Sequence, residues 1–167
     1  VFLMPARVQP FKVGKEMAAE EDRVNMIRLI AKRNENFAVT TIEAFGRKVS
    51  YTYDTLQELK AQNPKDHFHF ILGTDSFLSL EKWYKGKELL CEQDFIVGIR
   101  PGYKESETIE KAEKFRREYG TGIKLLHNRI IEVSSTEIKE NIRNGKGIRH
   151  LVPYEIERYI YEHGLYQ

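Results

Sequence analysis

Short apolar runs alternate along this chain with stretches in which apolar residues return every three or four positions. Runs of the first kind predict strands at Val1 to Ala6, Phe37 to Ala44, His67 to Gly73, Phe95 to Arg100, Ile123 to His127 and Ile130 to Val133. Stretches of the second kind predict helices over Glu16 to Lys32, Tyr53 to Gln62, Phe77 to Leu90, Glu105 to Glu118, Thr136 to Arg143 and Pro153 to His163. Such alternation marks βα units around a mostly parallel sheet, so the expected class is α/β. The most linker-like passage, Pro101-Gly102-Tyr103-Lys104, is too short to divide two domains. One domain over residues 1–167 is the expectation, and a chain of this size buries roughly 70% of its unfolded surface.

Small polar residues fall where they matter. Ser50, Asp75 and Ser134 stand at or near predicted helix starts, and the last two directly follow predicted strands. In a parallel sheet such junctions gather outside the carboxyl ends of the strands, where open α/β sheets bind ligands. Helix N-termini bring free N–H groups and partial positive charge, which suits a phosphate-bearing ligand. Pro10-Phe11-Lys12 after the first strand and Arg100-Pro101-Gly102 after the fourth add cations to the same expected edge.

Each motif also has a plainer reading. Ser134-Ser135-Thr136-Glu137 fits a capping box and taken alone need be nothing more, although Lys139 one turn on would add an ammonium to the hydroxyls and amides. Gly73 allows close backbone approach, while Asp75 either caps a helix, the commoner role, or accepts ribose hydroxyls. Trp83, the only tryptophan, either stacks on a heterocycle or fills a packing gap. His67 and His69 share a strand face that is open to a metal pair, but no further His, Cys or carboxylate lies at ligand spacing, so no metal ligands are assigned.

Composition narrows the classes. Lys and Arg number 27 against 25 Asp and Glu, a net charge of +2 that announces neither a nucleic-acid nor a membrane partner. No apolar run approaches the roughly 20 residues of a membrane helix. The single Cys91 excludes an internal disulfide and a multi-cysteine zinc site and fits the cytoplasm. P-loop, dinucleotide-turn and zincin motifs are absent, as is a Ser/His/Asp order.

The motifs in order are Pro5-Ala6 with Gln9-Pro10-Phe11-Lys12, Ser50-Tyr51-Thr52-Tyr53-Asp54-Thr55-Leu56, Gly73-Thr74-Asp75, Trp83 and Arg100-Pro101-Gly102. Val133-Ser134-Ser135-Thr136-Glu137-Ile138-Lys139, Leu151-Val152-Pro153 and Gly164-Leu165-Tyr166 complete the set. Over nearly the whole chain this resembles the bacterial nicotinate-nucleotide adenylyltransferases, of the nucleotidyltransferase superfamily with a Rossmann-like sheet. The SYTxDTL, WxxxxxLL and SSTxI blocks carry the likeness. The resemblance implies transfer of AMP from ATP to nicotinate mononucleotide with Mg2+, giving nicotinate adenine dinucleotide and pyrophosphate. It implies ATP contacts at Gly73, Ser134, Ser135, Thr136 and Lys139, catalytic roles for Lys12 and Lys139, and an acceptor pocket at Thr52, Asp75, Trp83, Tyr84 and Arg100.

Three departures stand out. The family's GxFxPxHxGH loop is not among these residues; because Val1 stands where the family's second strand begins, the first strand, that loop and part of a helix are expected to be missing, whether lost, disordered or omitted, and activity is tied to them. Phe11 takes the place of a histidine, and Lys139 that of an arginine, keeping the charge but losing a planar two-point grip. The rivals are pantetheine-phosphate adenylyltransferase and a non-catalytic nucleotide-binding module without the histidines. Homo-oligomer formation is left open.

Overall fold

A computed structural model describes residues 1–6, 17–45, 50–100, 102–127 and 131–167. Lys12 and Phe11, Pro101, and Ile130 at the start of the sixth predicted strand lie outside the described residues. The chain gathers into two compact units, one of Val1–Ser50 with Glu132–Gln167 and one of Tyr51–Ile131.

In the first unit β1 (Phe2–Leu3) pairs in parallel with β2 (Ala38–Val39), joined by α1 (Glu20–Ala31). Both strands are far shorter than the apolar runs that predict them, and Ile42 to Ala44 turn instead of extending. The run Ile131 to Val133 is likewise not a strand, and Ile131 lies 80% exposed. Two further helices follow, α6 (Ser135–Arg143) and α7 (Tyr154–Glu162). Ile142, Ile148, Ile156 and Ile160 form the core here, with Met26, Leu29 and Ile30 of α1 packed against it. A polar clasp adds direction: the Tyr159 hydroxyl donates to Asp22 at 2.9 Å and accepts from the Asn25 amide at 3.2 Å.

The second unit is a three-stranded parallel sheet in the order β3 (His69–Gly73), β4 (Asp94–Gly98), β5 (Ile123–Leu126). The preceding helix α2 spans Thr52–Gln62. Helix α5 (Glu105–Tyr119) links β4 to β5, burying Thr108, Ala112 and Phe115 at four- and three-residue spacing and ending on left-handed Gly120. On β4, Phe95 and Val97 are fully buried and alternate with less buried neighbours, the period-two signature of a strand.

The helix predicted over Phe77 to Leu90 breaks into α3 (Thr74–Leu78), a 3-10 turn at Leu80–Lys82 and α4 (Gly86–Glu92). Its apolar spacing, with Phe77, Leu80, Leu89 and Leu90 all buried, masks the break. Trp83 is extended and Lys85 left-handed at φ 50°, folding the chain back so far that a Cβ on Gly86 would meet the Leu80 carbonyl at 2.2 Å. Glu81 in this turn accepts from Lys111, Lys114 and the Tyr119 hydroxyl, fastening the turn to α5. Among the described residues no helix is long and apolar enough to cross a membrane.

The hydrogen bonds from Lys111 first, and then from Lys114, pull the Glu81 carboxyl down from 4.5 to about 2. A depressed folded-state value stabilises the fold fully above the unfolded value, and that stability is lost as pH falls through the window from 4.5 to about 2. Glu81→Gln is therefore expected to lower unfolding free energy in urea by about 1 kcal/mol at pH 7, since partly exposed ion pairs are worth far less than the full shift. The difference from the unaltered chain should shrink across the same acidic window.

Candidate functional site

In the second unit the parallel pairing of β3 with β4 brings their carboxyl ends level, Gly73 opposite Gly98. Thr74, wholly buried, locks that junction: its hydroxyl donates to the Gly98 carbonyl at 3.3 Å and accepts from the Arg100 backbone N–H at 3.2 Å. The neighbouring side chains fold back over Gly73. A Cβ there would lie 2.9 Å from Asp75 Oδ1 and 3.0 Å from Arg100 Nε, so glycine serves here by leaving room, with φ at an ordinary −88°.

Asp75 does not cap a helix. The N-cap of α3 is Gly73, without a side-chain bond, and Asp75 is the second residue of the helix, where Arg100 Nη1 lies 3.8 Å from its Oδ1. Both side chains are about half exposed and the pair is long, so little energy holds it closed against a charged ligand. Ser50 is not a cap either; Tyr51 holds that position before α2, and Thr52 begins the helix half-buried.

A second neighbourhood is aromatic. The Tyr51 and Tyr84 rings lie 4.5 Å apart and tilted by 35°, and the Lys85 ammonium sits 4.5 Å from the Tyr53 ring and 5.6 Å from that of Tyr84. Trp83 donates its indole N–H to Ser79 Oγ at 3.2 Å and meets Phe70 of β3 edge-on at 6.4 Å, so it packs as well as presenting a half-buried ring. The structure thus joins Gly73, Asp75 and Arg100 directly, and Tyr84 with the residue beside Thr52. The brace made by Thr74 and the cation supplied by Lys85 were not singled out by sequence; the first shows only once the strand ends are aligned, the second only once the Trp83 turn is known.

In the first unit Ser134 caps α6, its Oγ accepting from the Glu137 N–H at 3.1 Å, and Ser135 and Thr136 stand exposed in the first turn. The Lys139 ammonium lies 5.0 Å from the Tyr166 ring centroid, a cation held over an aromatic face. Lys12 falls outside the described residues. Replacing Ser134 by Ala should cost about 1 kcal/mol of stability in urea unfolding through the lost cap, and by Gly only a few tenths.

A family model described as cytidylyltransferase-like matches residues 1–141. Probable nicotinate-nucleotide adenylyltransferases of Carboxydothermus hydrogenoformans and Geobacillus kaustophilus are each 34% identical, covering 100% and 99% of this chain and 83% and 71% of their own lengths. Among solved structures, Plasmodium falciparum nicotinic acid mononucleotide adenylyltransferase complexed with NaAD superposes with a TM-score of 0.75 at 21% identity, over 99% of this chain and 81% of that one. The same enzyme complexed with APC gives 0.73 at 20% identity. The structural likeness establishes the Rossmann-like nucleotidyltransferase fold, and together with the sequence matches it means that the chain belongs to the cytidylyltransferase-like family and, within it, to the nicotinate-nucleotide adenylyltransferases.

Proposed function

We propose that this enzyme transfers AMP from ATP to nicotinate mononucleotide, giving nicotinate adenine dinucleotide and pyrophosphate for NAD biosynthesis in the cytoplasm. The observation that carries the reading furthest is the Gly73–Asp75–Arg100 junction, braced by Thr74 at the carboxyl ends of parallel strands, in a chain of this family. Ligands of open α/β sheets occupy that edge.

The acceptor's phosphate oxygen attacks the α-phosphorus of ATP in line, and pyrophosphate leaves. No side-chain nucleophile is needed, so the protein's task is alignment and stabilisation of charge on the transferring group. We assign Thr52, Asp75, Trp83 and Tyr84 to the nicotinate mononucleotide, with Trp83 beside the pyridine ring and Arg100 shaping the loop or meeting the phosphate. Gly73 lets the nucleotide approach the backbone. Ser134, Ser135 and Thr136 offer hydroxyls and first-turn amides to the ATP phosphates, and Lys139 and Lys12 supply positive charge to them.

Mg2+ in this reading comes with ATP, where it would neutralise charge on the triphosphate; the ion keeps several waters and uses substrate phosphates in preference to a protein cage. Among the described residues the only convergence of three His, Cys, Asp or Glu donors is His67, His69 and Asp94, an imidazole-rich set unsuited to so hard an ion.

Pyrophosphate release measured with ATP and nicotinate mononucleotide, nicotinamide mononucleotide or phosphopantetheine tests the assignment. Release with nicotinate mononucleotide is expected where the GxFxPxHxGH loop is present; release with phosphopantetheine alone would reassign the acceptor, and binding of nicotinate mononucleotide without turnover in protein carrying that loop would favour the non-catalytic module. Trp83→Ala should raise KM for the acceptor roughly two- to twelvefold, the equivalent of a stacking energy of about 0.5–1.5 kcal/mol, with KM for ATP unmoved. Trp83→Phe keeps a ring against Phe70 and separates stacking from packing. An unaltered acceptor KM in both variants would take Trp83 out of the pocket.

A further inference from the structure

The strands that end at Gly73 and Gly98 carry a different chemistry where they begin. His69 is the first residue of β3 and Asp94 the first of β4, paired in register, while His67 lies two residues upstream of His69. Asp94 Oδ2 is 2.9 Å from His67 Nε2 and 4.0 Å from His69 Nε2, and one ligand atom from each of the three residues falls within 4.8 Å of the others. The imidazole rings stand edge-to-face with centroids 5.0 Å apart. By sequence spacing the histidines lack a third ligand; the parallel register supplies it from 25 residues further along the chain.

The carboxylate is also oriented. Asp94 Oδ1 accepts the Gly122 N–H at 3.0 Å, which turns Oδ2 toward both imidazoles, and a Cβ on residue 122 would lie 2.3 Å from that Oδ1. This is the second-layer hydrogen bonding that fixes ligand orientation at metal centres. An ion bound at about 2.0–2.1 Å by tetrahedrally placed ligands separates the donor atoms by roughly 3.3 Å. The observed separations straddle that value, and the two imidazoles are 74% and 46% exposed and can rotate to meet it. A simple His67–Asp94 ion pair accounts for one of the histidines and leaves unexplained why the second turns its Nε2 toward the same oxygen.

We propose that His67, His69 and Asp94 bind one borderline divalent transition ion, with Zn2+ as the representative, and leave at least one position open to water. Two imidazoles and a carboxylate select such an ion over Mg2+ or Ca2+. The site lies at the amino ends of β3 and β4, roughly 13 Å along β3 from Gly73, and is separate from the junction assigned to nucleotides. Bound there, the ion ties the start of β3 to β4 and, through Asp94, to the turn at Gly122 that leads into β5.

The test is Zn2+ titration by calorimetry, with Co2+ absorption as a spectroscopic readout, on the untagged full chain stripped of metal by chelation. One equivalent of Zn2+ is expected to bind, with a Co2+ spectrum of a four- or five-coordinate nitrogen and oxygen site and a rise in Tm on Zn2+ addition. His67→Ala and His69→Ala should each weaken binding at least about tenfold and abolish the Tm rise, while His150→Ala leaves both intact. Asp94→Asn keeps an acceptor for Gly122 and should weaken binding similarly; should it unfold, the exposed histidines still decide the matter. Absence of saturable Zn2+ uptake, or uptake unaltered in both His67→Ala and His69→Ala, would overturn the site.

Discussion

The parallel register of β3 against β4 is the constraint on which the chemistry of the second unit depends. It sets His69 opposite Asp94 at one end and Gly73 opposite Gly98 at the other, so both ends of one strand pair become places where polar side chains meet. Strand periodicity is two, and a slip of one residue would turn each of these side chains to the opposite face. What resists the slip is specific. Phe95 and Val97 are buried without exposure on one face of β4, and the Thr74 hydroxyl, equally buried, bridges the Gly98 carbonyl and the Arg100 N–H. A displaced register would break both of these part-buried hydrogen bonds, each worth about 0.5–1.5 kcal/mol.

Against that rigid frame the groups proposed to face the nucleotide are loosely held. Asp75 and Arg100 form a long, exposed pair, and Tyr84 and Lys85, on the turn that interrupts the helical stretch after β3, gather beside Tyr51 at the start of α2. The turn is in turn fixed by the close approach of Gly86 to Leu80 and by Glu81 gripping α5. Rigid backbone with adjustable side chains suits a reaction in which positioning and charge do the catalysis. In the first unit the same economy appears at α6, whose cap is satisfied within the chain by Ser134 while Ser135 and Thr136 remain exposed.

Much of this was legible in the sequence. The βα alternation, helices α2, α5, α6 and α7 to within a residue or two, and the Ser134 cap follow from local pattern, because caps and amphipathic faces are short-range features, while the family was legible through the resemblance of its motif blocks. The helix expected through Trp83 failed for a physical reason: buried Phe77, Leu80 and Leu89 keep the apolar spacing across a reversal that only the left-handed Lys85 and the cramped Gly86 reveal. Asp75 looked like a cap because it follows a strand, yet its partner is Arg100, 25 residues away. Asp94 as a third ligand was invisible for the same cause, since spacing along the chain says nothing of which strand lies alongside.

We place the nicotinate nucleotide, as a proposal, at the carboxyl-end junction of β3 and β4. Amide resonances of the isotope-labelled full chain, followed as nicotinate mononucleotide is added, test it most directly. Saturable shifts at Gly73, Thr74, Asp75 and Arg100, with those of His67, His69 and Asp94 unmoved, are expected. Shifts centred on the histidine end of the strands, or saturation without any change at the Thr74 junction, would contradict it.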